Sequence, residues 1–115
     1  MSLDSLMIRS ANLLGAPLKD ASGKKLGTIR EIFFERDTGQ ARFVALEFSG
    51  LFGTSGKYHP IPWRALRYDQ PSDSYRTDLT KDFLKTSPAY DREQFGDTAY
   101  AWTEQAERYF RTEPI

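Results

Sequence analysis

The sequence predicts an all-β fold with a helical tail, and three observations carry that reading. Between residues 13 and 76, short apolar segments are separated by turns rich in Gly, Asp and Ser, as expected of consecutive, mainly antiparallel strands. From Leu79 onward the spacing becomes helical and ends in an apolar stripe of Ala99, Trp102, Ala106, Tyr109 and Phe110. A length of 115 residues supports one core of ordinary size with an appendage. Residues 8–78 read as the β unit and 79–115 as a helical extension that packs on it or on a second subunit.

In chain order, a short strand around Leu14 to Leu18 leads through Asp20, Ser22 and Gly23 into a second strand beginning at Leu26. Gly23 supplies the positive φ of the turn. The second strand runs to Arg36, but Ile29 is out of phase with Ile32 and Phe34, so a bulge is expected near Arg30 and Glu31. Asp37, Thr38 and Gly39 turn the chain into "ARFVALEF", where Val44, Leu46 and Phe48 share the core face. Phe43 and Ala45 fall on the opposite face, where Phe43 requires a cover from a helix, the tail or another subunit.

A loop with Gly50, Gly53 and Gly56 carries Leu51 and Phe52 at its tip. "KYHPIP" follows; Pro60 and Pro62 lack amide donors, which predicts an edge strand or one paired only through its intervening residues. Short strands through Leu66 and Tyr68 and through "SYRTD" complete the set. Thr80 is placed to cap a short helix with Leu79 and Leu84 as its hydrophobic staple, and Ser87 and Pro88 end it. "AYDREQFGD" reads as irregular, and the tail helix begins at about Thr98.

Composition narrows the function classes. Sixteen Lys plus Arg balance sixteen Asp plus Glu, so no overall field favours nucleic acid or an anionic membrane. The balance hides a division: residues 1–68 hold ten basic against six acidic side chains, and 69–115 the reverse bias, six against ten. The absence of cysteine removes thiolate chemistry, and a single histidine, His59, leaves no second imidazole for a metal or general-base cluster. No apolar run reaches the roughly 18 to 20 residues that span a bilayer, and no secretory leader is evident, so a cytoplasmic protein is expected.

An ordered set of features resembles the PRC-barrel family: Gly15, Gly23 and Gly27 around the first hairpin, the "DTG" turn at 37–39, "SGLFG" at 49–53, "IPWRAL" at 61–66 and "LTKDFLKTSPAYD" beyond them. That family is known from the cytoplasmic domain of the photosynthetic reaction centre H subunit and from the C-terminal domain of a ribosome maturation factor. The match is strongest over residues 8 to 92, and the aromatic-ended tail resembles free-standing bacterial members. The resemblance implies a small barrel of about six strands that docks proteins and carries no catalytic residue.

Candidate sites follow. His59, between Tyr58 and Pro60, has no partner at a catalytic spacing and reads as a strand residue. The 49–56 loop lacks the Lys-Ser/Thr ending of a phosphate loop, leaving Leu51 and Phe52 as a barrel-end cover or a protein contact. Trp63 is a core plug or an interface anchor. Lys24, Lys25, Arg30, Arg64 and Arg67 lie among Glu31 and Glu35 and read as a solvated face rather than an RNA site. Trp102, Tyr109 and Phe110, with Phe43, must pack back on the barrel, pair with another copy or receive a partner.

The leading reading is a non-enzymatic protein-interaction domain, without cofactor or metal, that forms a homodimer through its tail helix. An RNA-associated or ribosome-assembly module is the second reading. A small ligand-binding protein or enzyme using the barrel mouth and His59 is the third.

Overall fold

The computed structural model describes residues 7–48, 57–96 and 100–111. A single helical turn, α1 (Ser10–Leu13), leads to β1 (Pro17–Lys19), β2 (Lys25–Phe34), β3 (Ala41–Phe48), β4 (Lys57–Pro62), β5 (Leu66–Asp69) and β6 (Ser74–Thr77). Then come α2 (Lys81–Lys85), β7 (Tyr90–Asp91) and α3 (Trp102–Phe110), with 3-10 turns at Trp63–Ala65 and Arg92–Gly96. The fold is mostly β, but it is a seven-stranded mixed sheet in the order β5-β6-β1-β2-β3-β4-β7, not a closed six-strand barrel. β1 runs parallel to β6, and the two-residue β7 beside Lys57 and Tyr58 is the strand that the irregular reading of "AYDREQFGD" missed. Two residues are too few to show alternation.

The turn chemistry is as expected. Gly23 and Gly39 take φ of +91° and +73°, and the Asp20 carboxylate accepts hydrogen bonds from the Ser22 and Lys24 amides. In the β2–β3 ladder, Ile29 lies opposite Leu46 and Glu31 opposite Ala45, so Arg30 is the extra residue of the bulge. That insertion puts Ile29 on the same face as Ile32 despite their odd spacing. Gly27 answers a close approach: a Cβ there would lie 2.4 Å from the Glu47 carbonyl oxygen.

β4 is not an outermost strand. It lies between β3 and β7, with Pro60 and Pro62 facing Ala45 and Phe43. β7 stops short of both prolines, so neither is asked for an amide on that side. The sheet curves around an inner core of Leu18, Leu26, Ile29, Val44, Leu46 and Ile61, joined by Leu13, Leu79, Leu84 and Phe110. Thr80 caps α2 by accepting from the Phe83 amide at 3.1 Å, and Leu79 and Leu84 on either side of that cap are both buried.

The outer face of β3 and β4 carries a second, aromatic core. Phe43, Ala45 and Tyr58 pack there with Phe95, Trp102 and Ala106, and Phe33 and Tyr90 lean against them. α3 therefore lies across the β4 margin, with Trp102 on one side of the sheet and Phe110 on the other. It starts at Trp102 rather than Thr98; Tyr100 takes φ +50°, which no right-handed helix passes through.

Candidate protein-contact surface

The tail stripe is committed within the chain. Trp102 is edge-on to Phe33, Phe43 and Phe95 at 4.8, 5.2 and 5.0 Å between ring centroids. Phe110 is fully buried beside Phe83, and the Tyr109 hydroxyl donates to the Phe83 carbonyl at 2.6 Å, fastening α3 to α2. The Tyr90 hydroxyl donates to the Gln105 side chain and fastens β7 to the same helix. The cover that Phe43 required is Trp102 of its own chain. A contact with another molecule through Phe43, Trp102 or Phe110 would require α3 to leave.

His59 is buried on the inner side of β4, with the Phe48 ring edge-on at 4.4 Å. Its Nδ1 lies 2.9 Å from Ser87 Oγ, and the Ser87 hydroxyl donates to the Leu84 carbonyl at 2.6 Å. A hydroxyl has one proton, so proton counting assigns His59 as the donor at Nδ1. Its Nε2 is left without a partner. Burial pulls the His59 pKa down from 6.5 to about 4 against the opposing pull of the Ser87 contact. A neutral ring that joins β4 to the end of α2 is a structural pin. Among the described residues no group of three His, Asp or Glu side chains is placed to hold a metal ion.

Arg30, Arg64 and Arg67 are each ion-paired, to Glu47, Glu107 and Asp78 at 2.9, 3.3 and 2.9 Å. Each of these three guanidinium groups thus has a carboxylate partner. Leu51 and Phe52, at the tip of the glycine loop, lie outside the described residues.

Among the described residues, two concave surfaces stand out. The first, of about 550 Å³, is walled by Trp63, Tyr68 and Tyr75 and by Met7 and Ile8 from the start of the chain, with Arg9, Asn12, Gln70, Asp73 and Ser74 on its rim. Trp63 packs on Tyr75 at 5.9 Å and Tyr75 on Tyr68 at 5.5 Å, giving a row of three rings. Two of these rings are only partly covered: Trp63 is half-buried and Tyr68 is 44% exposed. Tyr68 donates to Asp73 at 2.5 Å, and this bond is the chief reason its phenol is held above the ordinary value. Asp69, at the end of β5, accepts from the Ser72 hydroxyl, which holds its carboxyl below the usual range, with Arg76 adding to the effect.

The second is an open groove of about 930 Å³ between the β2–β3 hairpin and α3. Phe34 and Tyr100 are exposed beside it, and its rim mixes Arg36, Arg42 and Arg111 with Glu35, Asp37 and Glu104.

Of the residues singled out in the sequence, only Trp63 lines the aromatic cup. Tyr68, Tyr75, Met7 and Ile8 had no separate signal: the tyrosines lie on short strands, and the other two precede the first strand.

A family model described as PRC-barrel domain matches residues 6–84. An uncharacterized protein of Deinococcus radiodurans is 31% identical over 85 residues, which cover 72% of this chain. The chain spans 29% of that relative's length.

Proposed function

Since this chain belongs to the PRC-barrel domain family, we propose that it works as a non-enzymatic adaptor that docks another protein through the Trp63–Tyr68–Tyr75 cup. The observation that carries this reading is the pair of partly exposed rings, Trp63 and Tyr68, on either side of the buried Tyr75 and beside Met7 and Ile8, which are 67% and 44% exposed. Aromatic anchors supply affinity when a partner desolvates them, while a polar rim fixes orientation. Here Arg9, Asn12, Gln70 and Asp73 provide the rim, so the fitting partner inserts an apolar side chain and offers both donors and acceptors around it. The match to a bacterial protein and the absence, among the described residues, of a helix long and apolar enough to cross a membrane support action in a bacterial cytoplasm.

The test is site-specific photocrosslinking in the source cells. A photoreactive residue at the exposed rim position Gln70 should capture one discrete protein, and Trp63→Ala should abolish the capture without unfolding the chain. The same probe at Thr38, on the hairpin tip, should capture nothing. Turnover of a small molecule that is lost on changing the cup side chains would replace the adaptor reading with an enzymatic one.

A further inference from the structure

At one end of the sheet, β5 pairs only with β6 among the described residues. Its outer backbone groups therefore face no neighbouring strand among the described residues. Natural edges are commonly guarded by like charges or proline, because like charges brought opposite each other repel. β5 carries the reverse arrangement. Arg67 and Asp69, two residues apart and so on one face, have opposite signs, with side chains 55% and 28% exposed.

Opposite charges at that spacing are self-complementary under a two-fold axis. If a second β5 lies antiparallel with Tyr68 opposite Tyr68, Arg67 of each copy faces Asp69 of the other. Inside the chain the same two residues hold diagonal ion pairs, Asp69 with Arg76 at 3.4 Å and Arg67 with Asp78 at 2.9 Å, although Arg67 stands directly opposite Arg76. A second β5 in this register would place a directly opposed, opposite-charge pair on the free side of the strand. On the other face, the exposed Tyr68 rings meet in a cross-strand aromatic pair.

We propose that β5 is the seam of a homodimer in which two sheets join edge to edge through Arg67, Tyr68 and Asp69. The occupant is a second copy of this chain, since the charge order of the strand pairs best with itself. This dimer leaves α3 docked in its own chain and sets the two aromatic cups side by side. It does not depend on what fills the cups. A seam of four residues per chain makes the association reversible rather than obligate.

Sedimentation of the purified chain across a concentration series tests this. Wild type should pass from monomer to dimer as concentration rises through the micromolar range. Arg67→Glu at an exposed position and Asp69→Arg at a partly exposed one should each weaken association by about tenfold, since two attractive pairs become repulsive. An equimolar mixture of the two variants should recover it, because Glu then faces Arg at one rung and Asp faces Arg at the other. The chain has no cysteine, so Tyr68→Cys adds a single thiol whose mate across the axis is a cross-strand neighbour. At Cα separations of about 4.5 to 5.5 Å the two sulfurs can bond, and mild oxidation should give a covalent dimer that Thr38→Cys does not. A chain that stays monomeric at high micromolar concentration, a dimer indifferent to both charge reversals, or a mixture that fails to recover overturns the proposal.

Discussion

The two faces of the central strands are filled in different ways. The inner face is closed mainly by aliphatic side chains from β1 to β4, joined by Leu66 of β5 and Tyr75 of β6, with Leu79, Leu84 and Phe110 of the later chain completing it. The outer face is closed by rings: Phe33, Phe43 and Tyr58 of the sheet meet Phe95 and Trp102 of the last 25 residues. An inner core of this kind is the folding unit, since every strand through β6 loses apolar area if it opens. The outer core is a latch, because one segment supplies most of its cover.

α3 serves both faces, so substitutions there have the largest effects. Phe110→Ala removes a fully buried ring from the inner core and should cost about 3–5 kcal/mol. Equilibrium denaturation should show this as a lower midpoint for the whole chain. Trp102→Ala should cost about 3 kcal/mol at most if the outer layer relaxes, and hydrogen exchange should place the loss at Arg92–Gly96 and α3. Equal exchange changes at β1 and β6 in both variants would mean that the two cores are one.

His59 probes the inner side by pH. Its folded pKa of about 4 lies below the unfolded value of 6.5, so the unfolded chain binds the proton more readily between those limits. Stability is full above pH 6.5, falls as pH drops towards 4, and takes no further loss from this group below that. The expected drop is about 3 kcal/mol. His59→Gln should flatten the curve in that window, as followed by chemical denaturation at stepped pH.

Gly27 gives a smaller effect at the β2–β3 crossing. Gly27→Ala puts a methyl against the Glu47 backbone and should cost about 1–3 kcal/mol, while Ser22→Ala on the nearby turn should cost less. A melting temperature unchanged by Gly27→Ala would show that the ladder can part locally.

Much of the inner face was legible in the sequence because strand alternation and glycine turns are local signals. Val44 and Leu46 followed from period two, Gly23 and Gly39 from turn chemistry, and the Arg30 bulge from the phase slip between Ile29 and Ile32. The parallel β1–β6 pair was not legible, since it joins segments more than 50 residues apart and no local pattern encodes it. The outer face was half legible: Phe43 was seen to need a cover, but Phe95 sat in a stretch without periodicity. The cup was the least visible, because Met7 and Ile8 meet Tyr68 and Tyr75 only through the fold.

The two tryptophans have opposite roles, and their fluorescence measures this directly. Trp102 is fastened inside the chain, whereas Trp63 faces the cup where a partner would sit. Single-tryptophan variants made with Trp63→Phe and Trp102→Phe isolate each ring for quenching by acrylamide and iodide. The predicted result is blue-shifted, quencher-resistant emission from Trp102 and redder, readily quenched emission from Trp63. Trp102 emission as accessible to quencher as that of Trp63 would contradict the docked tail, and with it the assignment of the cup as the surface left for a partner.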